Sequence, residues 1–308
     1  MGPEGIEDSI VSADRAQGVD FGSSWSAGLR RGSEAELQRW LQFAESAVDE
    51  ADRIARLAFE TELNVDEKVD GSFVTEADRE IEQLVRSRLA DQFPGHGIVG
   101  EEYGVSDEGA AIRWFLDPID GTHNFMRGVP IFATLLAVAR DGEIQAGMIS
   151  APALGRRWFA SRGGGAWATS SNAVQPGTPR RLKVSTVGSV ARSQLLFRSV
   201  TDMRASRVAG GFDALLTRVW RERGFGDFWG YTHVADGAAE AYVEQDLGPW
   251  DLAAPWILVE EAGGRITDFD GRRSLYTGEA LASNGALHEQ FLGALWHTPT
   301  GPDLPPAR

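Results

Sequence analysis

Asp117 and Asp120 stand three positions apart in Trp114-Phe115-Leu116-Asp117-Pro118-Ile119-Asp120-Gly121-Thr122, and no other stretch of the chain is so suited to chemistry. The apolar triplet predicts a short buried strand that delivers both carboxylates into a loop bent by Pro118 and Gly121. Carboxylate oxygens with backbone carbonyls between them are the ligands that a hard divalent cation such as Mg²⁺ prefers. The amides of Gly121 and Thr122 follow at once and can face an anion, as helix-starting N–H groups do. Carboxylates for a metal beside amides for a phosphate point to metal-assisted phosphoryl chemistry. Taken alone, however, Asp-Pro and Asp-Gly are ordinary turn formers.

Three further segments supply acids that could join this pair. They are Lys68-Val69-Asp70-Gly71-Ser72-Phe73-Val74-Thr75-Glu76-Ala77-Asp78, then Gly100-Glu101-Glu102, then Trp250-Asp251. Each also has a plain structural use. Asp78 can be the N3 partner of a Thr75 cap, Glu101-Glu102 a solvated loop, and Asp251 a helix N-cap.

The elements that must position these residues are readable in outline. Ser33-Glu34-Ala35-Glu36 is a capping box, and Leu37, Trp40, Leu41, Ala44, Val48, Ala51, Ala55 and Ala58 mark one helical face behind it. Thr75 caps a second helix with Ile81, Leu84, Val85 and Leu89 inward, stopped by Pro94-Gly95. Ile98-Val99 and Trp114–Leu116 read as buried strands. Residues 131–139 and 144–151 flank Asp141-Gly142 as a hairpin, and 157–161 with 166–168 extend the sheet around Gly163-Gly164-Gly165. From Arg181 onward the pattern predicts a strand over 194–200, helices over 212–223 and 231–237, and a strand over 239–244. A helix over 251–262, stopped by Gly263-Gly264, and a strand over 265–268 complete it. Pro255 is tolerable if it lies near that helix's N-terminus. Helices first, then an antiparallel meander, then alternating strand and helix make an α+β chain. The expected divisions are a flexible extension (1–32), an N-terminal α+β part with most of the candidate ligands (33–180), a C-terminal α/β part with Asp251 (181–297) and a Pro-rich disordered tail (298–308).

Composition narrows the chemistry. Lys and Arg total 30 against 45 Asp and Glu, a formal charge of −15, so nucleic acid and anionic membrane are not expected partners. With no cysteine, disulfides, thiolate catalysis and Cys-ligated metals are excluded. The five histidines offer no i, i+4 pair for zinc. The start of the chain lacks a basic-then-apolar signal pattern and no apolar run reaches membrane-spanning length, so the expectation is a cytoplasmic protein.

Lys68…Val74-Thr75-Glu76-Ala77-Asp78, Gly100-Glu101-Glu102, Asp117-Pro118-Ile119-Asp120-Gly121-Thr122 and Trp250-Asp251-Leu252-Ala253…Glu261-Ala262-Gly263-Gly264 together resemble the inositol-monophosphatase family. Their order and spacing match it over roughly residues 37–296. The resemblance implies a layered αβαβα sandwich of the inositol-monophosphatase and fructose-1,6-bisphosphatase type. It also implies Mg²⁺ dependence with two or three ions per site, inhibition by Li⁺, a homodimer, and a small phosphate ester as substrate. Position by position, Glu101, Asp117 and the carbonyl of Ile119 would hold one ion, and Asp117, Asp120 and Asp251 a second. Asp78 with Thr122 would orient and deprotonate the attacking water, and Glu102 would act behind the ligands. Gly121 and Thr122 would cradle the phosphate, with Lys68 near the site. The displacement would be direct and in line, without a phosphoenzyme.

Within the family, Ser150-Ala151-Pro152-Ala153-Leu154…Arg156-Arg157-Trp158, Arg127-Gly128-Val129-Pro130 and Gly226-Asp227-Phe228…Tyr231 look most like the histidinol-phosphate phosphatases of actinobacteria. That likeness implies Glu244 and Asp227 as partners for a cationic amine and imidazole. His123, where relatives carry Lys or Thr, is a further candidate substrate contact. Inositol 1-phosphate, or a broader range of sugar and polyol phosphates, is the alternative. A catalytically silent fold-mate is the non-enzymatic one, and its mark would be a broken ligand set. All the expected carboxylates are present.

Overall fold

Ser33 starts the first helix as its spacing predicts. Its hydroxyl accepts from the Glu36 amide at 3.3 Å, and the Glu36 carboxylate accepts from the Ser33 amide at 2.9 Å. In this computed structural model, which describes residues 32–59, 65–68, 73–170 and 178–297, helix α1 runs Glu34–Ala58 with Leu37, Trp40, Ala44, Val48 and Ala51 buried along one face. The expected extension up to Arg31, the tail from Thr298 and the Val69–Ser72 stretch lie outside the described residues. Helix α2 (Glu76–Gln92) begins at Thr75 and buries Ile81, Val85 and Leu89. Leu84, expected inward, is only half-buried, and the carboxylate of Glu82 takes the buried place beside Ile81.

The chain divides into two compact units. The first runs to Leu154 and includes Gly248–Ala254. Beside α1 and α2 it holds the small antiparallel pair β1 (Val65–Glu67) and β2 (Phe73–Thr75). Its main sheet strands are β3 (Gly97–Gly100), β4 (Gly104–Ser106), β5 (Ile112–Asp120), β6 (Ala133–Arg140) and β7 (Glu143–Ala151), in the order β4-β3-β5-β6-β7. Only β3 and β5 are parallel. The β6–β7 hairpin closes on Asp141 (φ 50°) and Gly142 (φ 82°), the left-handed pair that the sheet's twist favours in a two-residue turn. α1 packs over β6 and β7.

The second unit holds residues 155–247 and continues from Pro255. Strands β8 (Arg156–Ser161) and β9 (Gly165–Ser170) form the expected hairpin, with β10 (Arg180–Arg181) beside β9. Its five-stranded sheet has β11 (Gln194–Phe197), β12 (Arg221–Gly224), β13 (Ala241–Gln245), β14 (Arg265–Thr267) and β15 (Glu279–Ser283) in the order β12-β11-β13-β15-β14. Phe212, Leu215, Phe269, Leu281, Leu287 and Phe291 are in its core.

Several expected boundaries move. The predicted strand over 194–200 ends at Phe197, because Ser199 caps a short helix, α4 (Val200–Ala205). The helix predicted over 212–223 is α5 (Ala209–Arg218), and Arg221–Gly224 instead forms edge strand β12, parallel to β11. The edge of β11 claims that backbone by parallel pairing. The helix expected from Tyr231 starts earlier, as α6 (Asp227–Ala235). β5 continues through Asp120 where a loop was expected after Leu116. The helix of Asp251, α7 (Pro249–Glu261), places Pro255 inside it and not near its start. Proline there cannot donate to the Asp251 carbonyl, a local cost of about 3 kcal/mol that burial of Leu252, Ile257 and Leu258 offsets. β15 and α8 (His288–Trp296) had no sequence assignment. The expected division at 180/181 differs from the packing, which places 155–180 in the second unit and Asp251 in the first. Among the described residues, no helix is long and apolar enough to cross a membrane.

Candidate functional site

The parallel register of β3 and β5 sets Gly100 opposite Leu116, and the Glu101 amide continues the ladder by donating to the Leu116 carbonyl at 3.2 Å. Glu101 and Asp117 therefore leave neighbouring strands side by side. Pro118 has no N–H to give to β6, and the β5–β6 pairing shifts between Asp117 and Asp120. The Thr134 hydroxyl fixes that irregular stretch by donating to the Pro118 carbonyl at 2.8 Å. The shift is what turns both Asp117 and Asp120 toward one place. Gly121 follows at φ 84°, and Thr122 opens the short helix α3 (Thr122–Met126). The Thr122 hydroxyl donates to the Ile119 carbonyl at 3.0 Å, so the carbonyl expected to face a metal also holds this turn.

Two of the acids are fastened by helix starts. Asp78 is the N3 residue of α2, and one of its oxygens accepts from the Thr75 amide at 2.8 Å and the Thr75 hydroxyl at 2.6 Å. Asp251 is the N3 residue of α7 and accepts from the Gly248 amide at 2.6 Å. In both, the reach-back bond of a capping box occupies one carboxylate oxygen. Asp78 thus plays the N3 role expected of it, whereas Asp251, expected as an N-cap, stands at N3, and both are held by reach-back bonds. They position the acids rather than compete with a functional role. For Asp78 the second oxygen, Oδ1, is buried without a hydrogen-bond partner among the described residues.

Asp117, Asp120 and Asp251 converge, with one oxygen of each within 4.8 Å of the others. Asp117 Oδ1 is a second buried carboxylate oxygen with no hydrogen-bond partner among the described residues. Burial, then Glu101, Asp120 and Asp251, push the Asp117 carboxyl well above the ordinary range. Lys68 lies across the top of this acidic group, its ammonium 2.9 Å from Glu101 and 2.8 Å from Glu102. Burial alone would depress that ammonium, but Glu101 and Glu102 hold it above its usual range. Burial raises Glu102 to about 7, helped by Glu101 and opposed by Lys68. Asp78 is raised to about 6 by burial, against the Thr75 bonds. Among the described residues, six carboxylates thus share one lysine, and two of their buried oxygens meet no donor. An all-oxygen set of this charge suits a hard cation.

Three predicted residues remain. His123 is exposed and stands edge-on to Phe73, ring centroids 5.3 Å apart. Glu244, on β13, and Asp227, first residue of α6, belong to the second unit. Glu244 is buried, with the Arg198 Nε at 3.8 Å. Both acids raise the pKa of Tyr242, after burial itself. Asp227 holds φ 57°, a left-handed backbone that Asp tolerates better than most residues. Sequence reasoning did not anticipate Arg198 beside Glu244, since no motif surrounds it. It also missed Glu82, four residues after Asp78 and so on the same helix face, a signal that was available.

The profile described as the inositol monophosphatase family matches residues 36–300. A histidinol-phosphatase of Mycobacterium tuberculosis is 43% identical over 83% of this chain and 97% of its own length. A histidinol-phosphatase of Streptomyces coelicolor is 41% identical over 83% of this chain and 96% of its own. Among solved structures, an IMPase of Thermotoga maritima superposes with a TM-score of 0.72 at 29% identity, covering 83% of this chain and 96% of that one. The fold is the expected α+β sandwich of that type. On that match and those relatives, the chain belongs to the inositol monophosphatase family.

Proposed function

We propose that this protein is a Mg²⁺-dependent phosphate monoester hydrolase that converts L-histidinol phosphate to L-histidinol by direct attack of water. The observation that carries the hydrolase reading is the convergence of Asp117, Asp120 and Asp251 around a buried Asp117 oxygen that no donor among the described residues satisfies. It accords with the metal dependence of the family. Glu101, Asp117 and the Ile119 carbonyl would hold one ion, and Asp117, Asp120 and Asp251 another. Bound there, magnesium supplies Lewis-acid polarisation of the phosphoryl group and a lowered pKa for water.

The chain's own residues do the rest. Asp78, fixed through one oxygen by Thr75, takes the proton of the attacking water on its Oδ1. The Thr122 hydroxyl donates to Ile119 and so presents its lone pairs to that water. The Gly121 and Thr122 amides receive phosphoryl oxygens as charge develops on them. Glu102 keeps Lys68 beside Glu101 and balances its charge. Glu244 and Asp227 are the partners that the family likeness implies for the amine and imidazole of histidinol, which favours this ester over a neutral polyol phosphate. The histidinol-phosphatase names of the two relatives support the same choice.

The test is kcat/KM with Mg²⁺ for L-histidinol phosphate against inositol 1-phosphate. At least a tenfold preference for the former is expected, equivalent to about 1.4 kcal/mol of transition-state discrimination. Equal or reversed preference would refute the substrate, and inertness toward both esters the hydrolase. Li⁺ is expected to inhibit, and light scattering to return a homodimer.

A further inference from the structure

We infer that Glu82 is a positioning residue that sets the cation affinity of the acidic site by fixing the backbone from which Glu101 and Glu102 project. The inference rests on the metal-site reading above.

Glu82 lies on α2 one turn after Asp78, and its carboxylate is fully buried. One oxygen accepts from the Glu102 amide at 2.8 Å and the other from the Tyr103 amide at 3.0 Å. Arg86, a further turn along, supplies the counter-charge, its Nε 2.8 Å from the carboxylate. The same helix holds two more points of this stretch: Gln83 reaches the Tyr103 hydroxyl and Arg86 the Gly104 carbonyl. Glu101 is thereby caught from both sides. Its own amide is tied to Leu116 of β5, and the next two amides are tied to Glu82.

The sequence makes room for this arrangement at a cost. A Cβ on Gly100 would stand 2.2 Å from a Glu82 oxygen, so the position before Glu101 has to lack a side chain. A buried ion pair such as Glu82–Arg86 is a poor source of stability, since desolvation takes back most of the Coulombic gain. Its geometric output is the more telling: α2 holds Asp78 with one turn and the Glu101–Glu102 backbone with the next. That fixes the base, the proposed ligand Glu101 and its neighbour Glu102 in a single frame. A metal ligand held this way loses little freedom on binding, and the affinity it confers depends on the hold.

Glu82→Gln keeps one acceptor oxygen and turns the other into a donor facing an N–H. Gly100→Ala displaces the carboxylate without altering it. For both, the Mg²⁺ midpoint, read from the Mg²⁺-dependent rise in melting temperature and from activity titrated with Mg²⁺, is expected to move up about tenfold. The KM for the ester should stay within about twofold and kcat should recover at saturating Mg²⁺. Arg86→Gln, which leaves the amide bonds in place, is expected to lower the melting temperature in EDTA without moving the midpoint. A role confined to stability would lower the melting temperature of all three and move no midpoint, and that result overturns the inference. If Glu82→Gln does not fold, Glu82→Asp replaces it, with the same expectation. A wild-type protein indifferent to Mg²⁺ would overturn the metal-site reading and this inference together. Wild-type midpoints in the variants of a responsive enzyme would overturn this inference alone.

Discussion

Replacing Asp117 by Asn should make the protein more stable and less able to use metal. Asp117 is fully buried beside Glu101, Asp120 and Asp251, with oxygens of two of these within 4.8 Å of its own. Two unit charges at that distance repel by about 3.5 kcal/mol at an effective dielectric of about 20. Proton uptake by the crowded acids relieves part of this, leaving about 1–2 kcal/mol of strain per carboxylate near neutrality. Asn keeps the shape and drops the charge. In EDTA the variant's melting temperature should therefore rise by about 2–8 °C, at about 2–4 °C per kcal/mol for a chain of this size. With excess Mg²⁺ the order reverses. The wild-type site gains about 2.7 kcal/mol at a hundred times its dissociation constant, and the variant gains almost none. Scanning fluorimetry with and without EDTA reads both signs in one experiment. A variant that is less stable in EDTA, or that keeps the wild-type Mg²⁺ response, would refute the claim that repulsion among these acids is what a cation relieves.

Two further outcomes follow from other parts of the molecule. Asp78→Asn should lower kcat by about 10²–10⁴ with KM for the ester little changed, since the amide cannot take the proton of water. Its melting temperature should fall modestly, because one oxygen of the Asn can still accept from the Thr75 amide. A kcat within tenfold of wild type removes Asp78 as the base. His288 is buried between the hydroxyls of Ser283 and Thr267, at 2.8 and 2.9 Å, and burial, with Arg265 adding to it, lowers its pKa to about 3. Its folded form is neutral, whereas the unfolded chain takes a proton below about pH 6.5. The stability it contributes is thus complete above that pH and lost as pH falls toward 3, about 2 kcal/mol of it between pH 6.5 and 5. Urea midpoints at pH 7 and pH 5 should diverge more for the wild type than for His288→Gln, and parallel curves would contradict the assignment.

Local sequence was a good guide wherever one segment decided its own structure. The Ser33–Glu36 and Thr75–Asp78 caps, the Asp141-Gly142 turn and the triple-glycine turn are all present because cap and turn chemistry acts over about four residues. It failed where a distant partner decided. Arg221–Gly224 reads as a helix end until β11 offers an edge. Leu84 is only half-buried where a buried place was expected, and Glu82 is buried instead, because the amides of Glu102 and Tyr103, in the turn after β3, need an acceptor. Pro255 sits inside its helix because packing of its neighbours outweighs one missing hydrogen bond.

The same division applies to the site. Residue types and spacing by themselves picked out the Asp117–Asp120 pair and the acidic segments around Asp78, Glu101 and Asp251, and the resemblance to the family is what joined them into one proposed set, since motif chemistry is written in short runs. What only the tertiary structure decided is how they are held: the β3–β5 register that sets Glu101 beside Asp117, the ladder shift at Pro118, the Asp251 carboxylate brought in from far along the chain, and Lys68 bridging Glu101 and Glu102. Those are pairings between segments distant in sequence, and a one-dimensional pattern holds no term for the backbone groups that only folding brings within reach.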